Sequence, residues 1–419
     1  MTSAVQGEAY MTSPPTTAVR ATLDSQTTRA DAPLILIAGA GIGGLAAALA
    51  LAKRGIESHV LERRAAFETE GAGIQLGPNG TRILQELGIA ERLEPLAGKP
   101  DFIHARNAKT GTSLAHLPLG DWIAARHGAP YWVLHRQDLH AALLDAARSM
   151  PQIRISMDFN VAGTASDDAG VTVKNRNGLT LHGDALIAAD GLRSQVRDEI
   201  FEPQPLRFAQ RSAARAVIPI EDVAPELSEN ATALWMSPLA HVVHYPVRAG
   251  RELAMIFVRK DTVPTDDWST EIPRSWVLDL AQQFCTPLRR LLDTPPQWKK
   301  WALFELPPLS FWHSGRIALL GDAAHPTLPF LAQGAVLALE DAAILARRIS
   351  EQPTNIPRAI AAYAMARRHR ATRVVAAAKT NGRIYHLDGP MAAARDMVLR
   401  VTPPRTLMAR YDWVYGWRP

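Results

Sequence analysis

Leu34-Ile35-Leu36-Ile37-Ala38-Gly39-Ala40-Gly41-Ile42-Gly43-Gly44-Leu45 decides the fold. The first four residues are a short continuous apolar run, the pattern of a strand buried on both faces. The glycines then give G-x-G-x-x-G, and Leu45 to Arg54 is an Ala/Leu-rich helix stopped by Gly55. Ser58-His59-Val60-Leu61 reads as a second strand, ending at Glu62 and Arg63. The whole is a β-α-β unit, whose crossover makes the strands parallel. Gly39 permits the tight turn, Gly41 lets the backbone approach a ligand, and Gly43-Gly44 opens the helix, with Gly44 allowing close packing on the strand. A pyrophosphate would sit on the free N–H groups at the positive helix end. Glu62, 23 residues after Gly39, is placed to accept from ribose hydroxyls. The fingerprint does not choose between NAD and FAD.

Outward from this unit, the 419 residues predict two to three domains. Hydrophobic residues at 47% and charged residues at 21% are ordinary for a globular chain and exclude wholesale disorder, collagen and a polytopic membrane protein. With 46 basic and 41 acidic side chains the net charge is +5, a mild bias without the Lys/Arg blocks of a nucleic-acid binder. Cys285 is the single cysteine, so no internal disulfide and no cysteine-based metal site is expected. The low cysteine count fits a reducing compartment, which points to the cytoplasm. The 13 histidines show no ligand spacing such as H-E-x-x-H, so no metal is expected. The 21 uncharged residues Ala32–Ala52 are long enough for a membrane span. Pro33 and four glycines inside them argue for strand, turn and helix, with no integral membrane anchor.

Residues 1–32 are rich in Ser, Thr, Ala and Pro and read as a disordered leader, with Met11 as an alternative start. Residues 33–200 and 312–419 are expected to form an α/β cofactor-binding domain with helices at the C-terminal end. Within it, Asp138–Arg148 reads as an amphipathic helix and Asn177-Gly178 as the turn of a hairpin. Residues 201–311 differ. Apolar and polar residues alternate in 214–220, 233–236, 240–247 and 253–258, predicting an inserted antiparallel sheet that serves as a substrate domain. A long helix is expected from about Gly334 to Ser350, further helix over 357–400, and an aromatic tail at 410–417 docked on the body.

Two further strands end in carboxylates. Ala185-Leu186-Ile187-Ala188-Ala189-Asp190-Gly191 ends in Asp-Gly, and Ile317-Ala318-Leu319-Leu320-Gly321-Asp322 in Gly-Asp. Ligands bind at strand ends in an α/β sheet, and a carboxylate there can hold a polyol chain. FAD has one in its ribitol. The three motifs, in this order, resemble those of the group A FAD-dependent aromatic hydroxylases, the class of salicylate and hydroxybenzoate hydroxylases. Gly71-Ala72-Gly73-Ile74-Gln75-Leu76-Gly77-Pro78-Asn79 resembles the family loop beside the flavin. His135-Arg136-Gln137-Asp138-Leu139 resembles the segment whose arginine reaches FAD. The resemblance extends over about residues 33–419.

That resemblance implies one FAD, NADH or NADPH as co-substrate, O2, a small aromatic acid, and a monomer or homodimer. It implies hydroxylation through a flavin C4a-hydroperoxide attacked by an activated ring. By the same resemblance Pro329 lies over the flavin. The helix beginning at Gly334 would turn its free N–H groups toward the flavin pyrimidine edge. On the strand Ala240-His241-Val242-Val243-His244-Tyr245-Pro246, alternation puts His241 and Tyr245 on one face and His244 on the other. His241 and Tyr245 resemble the catalytic pair of the 3-hydroxybenzoate 6-hydroxylases, placed to deprotonate or orient a phenol. His244 is expected to be structural or at the surface. Pro329 stands where those enzymes carry glutamine. Leu328–Gly334 and the aromatic tail resemble the salicylate 1-hydroxylase and hydroxynicotinate side of the family. The sequence names no residue for the substrate carboxylate.

Overall fold

The predicted strand, turn and helix at the start of the chain are present as Leu34–Ala38, the glycine loop and Ile42–Ala52. Almost every residue of that helix is buried. It lies between the parallel sheet on one side and the helix Gly334–Glu351 on the other, which explains why its composition is apolar all round. The computed structural model describes residues 33–67, 72–265 and 269–419. The expected leader and Gly71 lie outside the described residues, and Pro33–Pro419 form one compact unit.

Two large sheets organise this unit. The first runs in the order His313–Ser314, Ile317–Leu319, Ala185–Ala188, Leu34–Ala38, Glu57–Leu61, Ile153–Ser156. All pairs are parallel except the short edge strand His313–Ser314. Its four central strands lead into Gly39, Glu62, Asp190 and Gly321-Asp322, so the motif residues meet at one end of one sheet. The second sheet runs Thr270–Ile272, Trp298–Glu305, Arg207–Pro219, Glu252–Lys260, Ala240–Val247, Ala231–Met236, Phe102–Asn107, Ser113–Pro118.

This second sheet differs from the sequence reading in one respect. Phe102–Asn107 and Ser113–Pro118, which that reading leaves in the cofactor-binding part, complete it, and Phe102–Asn107 pairs with Ala231–Met236 in parallel. One face carries its own core with Trp235, Phe257 and Trp298, under the helices Ser275–Ala281 and Thr286–Asp293. The opposite face turns Ala213, Val258 and Trp301 toward Leu328 and Phe330.

The smaller predictions hold with adjusted ends. The hairpin strands Val171–Asn175 and Thr180–Gly183 pair around Gly178, whose φ is 85°, and Val161–Ser166 joins them as a third strand. The 138–148 helix runs Arg136–Ser149. The helical 357–400 region is two helices, Ile356–Tyr385 and Gly389–Val401, separated at His386–Asp388. The aromatic tail docks: Tyr415 packs on Gly77, and Trp417 lies under the Arg367 guanidinium at 4.9 Å. Among the described residues, no helix is long and apolar enough to cross a membrane.

Candidate active site

The glycine cradle is built from backbone. Gly39 has φ 100°, and a side chain there would lie 2.5 Å from the Ala189 carbonyl oxygen. A Cβ at Gly44 would meet the Gly39 carbonyl oxygen at 1.9 Å, so helix and loop close on each other only through glycine. Gly43 packs on side chains instead, where a Cβ would lie 2.7 Å from Leu320 Cδ2. Gly41 is different, because a Cβ there would meet nothing within 4 Å. The space in front of it opens into a cleft of about 680 Å³.

That cleft is where the predicted cofactor residues gather. Gly39, Gly41, Glu62, Arg63, Arg136, Asp190 and Asp322 all line it. Glu62 is buried, and its two carboxylate oxygens accept from the Ala40 N–H (2.9 Å) and the Arg64 N–H (3.0 Å). The carboxylate thus ties the first loop to the second strand end and keeps lone pairs for a further donor. Asp190 accepts from the Val196 N–H, while its Oδ1 is buried without a partner. Burial raises its carboxyl above the usual range. Asp322 is open to the cleft with protein on every other side, and this surrounding bulk raises its carboxyl against the pull of His325 and Arg136. An open phosphate approach, two strand-end carboxylates with free acceptor capacity and an arginine beside one of them fit a dinucleotide with a polyol arm.

The far wall is held by a buried ionic cluster. His325 Nε2–H donates to Asp341 Oδ2 (2.6 Å), and Arg367 donates to Asp341 and Glu340, each at 2.7 Å. Asn79 donates to Gln333 (2.9 Å) and Glu340 (2.7 Å). These bonds fix the helix Gly334–Glu351 directly behind Pro329–Leu331, and Pro329 itself is exposed.

His241 and Tyr245 share a face, as alternation predicts, yet they stand about 13 Å apart along the strand. Tyr245 is buried against Gly73, whose added Cβ would lie 2.6 Å from the Tyr245 hydroxyl; Ile74 follows on the same strand, Gly73–Leu76. Burial raises the Tyr245 phenol. His241 lies among Phe330, Tyr385 and His386, with ring centroids at 5.4, 5.4 and 4.9 Å. His386 Nδ1 is 2.6 Å from the Gly382 carbonyl oxygen. A carbonyl only accepts, so His386 carries its proton on Nδ1. Its Nε2 must then accept from His241 Nδ1–H at 3.0 Å. This leaves the His241 Nε2 lone pair free. Burial, then the neighbouring His386 and Arg211, hold the His241 imidazole well below its usual pKa. Burial holds His386 down to about 4. Both rings are neutral near pH 7.

His244 is not at the surface. It is buried on the opposite face, stacked 6.3 Å from Trp235, with both ring nitrogens unpartnered, and burial holds it down to about 3. Phe330, Tyr385, His386 and Arg211 are absent from the sequence reading of the site. Only Phe330 has a local signal, its place beside Pro329.

A glycine cradle opening on a cleft with strand-end carboxylates defines a flavin-dinucleotide-binding protein. The family described as "FAD binding domain" matches residues 33–378. The chain belongs to that family and, within it, to the group A FAD-dependent aromatic hydroxylases. It is 36% identical over 388 residues to 3-hydroxybenzoate 6-hydroxylase of Polaromonas naphthalenivorans, covering 93% of this chain and 96% of that one. It is 35% identical to 6-hydroxynicotinate 3-monooxygenase of Pseudomonas fluorescens, over 82% of this chain and 89% of that one. Klebsiella pneumoniae HpxO, solved with FAD and uric acid, superposes with a TM-score of 0.80 at 26% identity, over 90% of this chain and 95% of that one. The protein is therefore an FAD-dependent monooxygenase acting on an aromatic substrate with O2.

Proposed function

We propose that this enzyme hydroxylates a small aromatic hydroxy-acid with electrons from NADH or NADPH, as a cytoplasmic monomer or homodimer. The observation that carries the reading is the neutral His241, its free Nε2 facing the Phe330–Tyr385 side of the sheet. In this reading Gly39–Gly44 hold the FAD pyrophosphate and Glu62 with Arg63 the adenosine end. Asp190, Asp322 and Arg136 hold the ribitol region. Gly73, Ile74, Pro329 and the Gly334 helix start frame the flavin ring. Residues 201–311, with the two strands from 102–118, form the substrate layer. Bound flavin supplies electron uptake from NAD(P)H and oxygen activation. The protein's own task is to place a ring, exclude water and take a phenolic proton at His241 Nε2. Tyr245 orients the flavin-side wall.

One resemblance and one observation bear on the ring. By resemblance, 3-hydroxybenzoate 6-hydroxylases carry a glutamine near the position of Pro329, and its absence here favours a salicylate 1-hydroxylase-like reaction. The 36% identity to a 3-hydroxybenzoate 6-hydroxylase and 35% to a 6-hydroxynicotinate 3-monooxygenase favour those alternatives. The test is NADH and NADPH oxidation with salicylate, 3-hydroxybenzoate and 6-hydroxynicotinate, with product identification. Stimulated oxidation with a hydroxylated product supports the reading. Oxidation that yields only hydrogen peroxide with all three removes it.

A further inference from the structure

The helix Gly389–Val401 has two unlike faces. The inner face is fixed to the body. Arg395 donates to the carbonyls of Ile384 (2.9 Å) and Tyr385 (3.1 Å) and to the Asp396 carboxylate (2.7 Å), which also accepts from Asn107 (3.0 Å). Leu399 packs on the cluster of Ala105, Leu114 and Met236. The outer face is apolar and open to water. Met391, Met397, Val398 and Val401 are 62%, 63%, 50% and 64% exposed, and Ala394 between them is exposed too. Single exposed apolar side chains are ordinary, but a run of them along one helix face is a contact surface.

Their spacing names the kind of contact. Met391, Ala394, Val398 and Val401 follow one another at intervals of three, four and three residues. This is the seam of a coiled coil, whose side chains enter the holes of a second helix. Ala394, small at the centre, lets two helix axes come close, and Met397 widens the seam on one side. Charge then selects the partner and its direction. The exposed charged residues of the helix and its cap are Asp388 at the N-terminal end and Arg400 near the C-terminal end. Two copies laid antiparallel, with a twofold axis at the level of Asp396, set Met391 against Val401 and Ala394 against Val398. Arg400 of one copy then lies about 6 Å along the axis from Asp388 of the other, within reach of its side chain. The two helix dipoles are also opposed. A parallel pair would set Arg400 against Arg400 and Asp388 against Asp388. A bilayer fits less well, because the face has no Trp, Phe or Leu and Arg400 alone supplies positive charge beside it.

We propose that this chain pairs with a second copy of itself through the outer face of Gly389–Val401, with the two helices antiparallel. One helix seam per copy lies near the lower limit of roughly 1,000 Å² that a specific interface needs, so the pair is weak and dissociates in the micromolar range. The helix is already ordered by its inner face, so pairing does not carry the cost of folding it. The assignment takes up the monomer-or-homodimer alternative above and is independent of the hydroxylation chemistry.

The test is sedimentation velocity of the FAD-loaded protein from about 1 to 100 μM. The average mass should rise from one chain toward two. Val398→Glu, which puts a carboxylate into the seam of each copy, should weaken pairing by about tenfold or more and leave FAD content and melting temperature unchanged. If that variant folds poorly, Val401→Lys decides by the same measurement. Cysteine pairs report the direction. Ala394→Cys with Val398→Cys should link two copies on mild oxidation, because antiparallel packing sets these positions opposite each other. Met391→Cys alone should not, since its two copies lie about 15 Å apart along the axis. The unsubstituted protein controls for Cys285. A single-chain mass at every concentration, undiminished pairing of the Val398→Glu variant, no link through the paired cysteines, or a link through Met391→Cys overturns the proposal. So does binding to phosphatidylglycerol vesicles by a protein that stays single. No readout is activity, so a single-chain result leaves the hydroxylation reading standing, and a failure to hydroxylate leaves the pair standing.

Discussion

Gly41 separates what the fold needs from what the cofactor needs. Its φ of −74° is open to any residue, and a side chain there meets no protein atom. Gly41→Ala should therefore leave the thermal stability of the flavin-free protein unchanged and still weaken FAD binding. Gly41→Asp, which adds a negative charge, should abolish flavin retention. A fully yellow Gly41→Asp preparation would show that the phosphates lie elsewhere. His241 makes a different prediction, in the chemical step. His241→Ala should bind FAD and be reduced by NAD(P)H, while product per NAD(P)H consumed falls by about 10²-fold or more and peroxide rises. Its partner sets the pH dependence. A histidine held below its usual value stays neutral until the pH falls to that lower value, so coupling should be flat from pH 8 down to about 5. It should fail only as His386, held down to about 4, gains a proton. An acid limb centred near 6.5 would exclude the pair as the controlling group.

The turns before the break between helices Ile356–Tyr385 and Gly389–Val401 hold one wall of the proposed substrate pocket, the one around His241. These turns supply Asn381, whose amide donates to the Phe330 carbonyl (3.2 Å), and Tyr385, whose hydroxyl donates to the same oxygen (3.0 Å). They also supply Gly382, where a Cβ would lie 2.5 Å from the Phe330 ring. Gly382→Ala must push Phe330 off the helix and, with it, one wall around His241. Overpacking of this kind costs about 1–3 kcal/mol. The expected variant keeps FAD, melts a few degrees lower and couples poorly; wild-type coupling would mean that Phe330 has room to shift. Little of this pocket was legible in advance. The β-α-β unit could be read because a buried strand, a glycine turn and a buried helix each leave a local pattern within about thirty residues. His241 could be placed because strand alternation is local too. His386 and Arg211 could not. Each reaches the site through pairing or packing with segments far away in the chain, and neither has a neighbour that marks its role. Phe102–Asn107 failed for the same reason, since a short strand carries no sign of the sheet it will join.

Across the whole molecule, the buried cluster Glu340, Asp341, Arg367 and Arg370 joins the cofactor wall to the aromatic tail. Arg370 bonds the Glu340 carboxylate (2.8 Å) and the carbonyls of Trp413 (2.6 Å) and Val414 (2.9 Å). Removing one member leaves an uncompensated buried charge, so Arg367→Leu should cost about 3–5 kcal/mol and loosen both the tail and the flavin wall. Protection of Tyr415 and Trp417 from hydrogen exchange would report the first effect. The cluster also fixes an acid response. Despite burial, His325 and Arg367 hold the Asp341 carboxyl at about 2. In the unfolded chain it titrates near 3.9. The stability it contributes is complete above about pH 4 and is lost as the pH falls toward 2. Melting temperature against pH should drop in that window, and Asp341→Asn, lower throughout, should be flatter there.

The parallel pairing of Phe102–Asn107 with Ala231–Met236 stitches the substrate layer to an early stretch of chain. A piece cut at 201–311 would leave Ala231–Met236 as a bare edge, open to pairing with other chains. Substrate preference in this architecture is thus not a cassette that recombination can move in one cut. It must change in place, side chain by side chain, on a sheet that has the two strands of one edge translated before the rest of it existed.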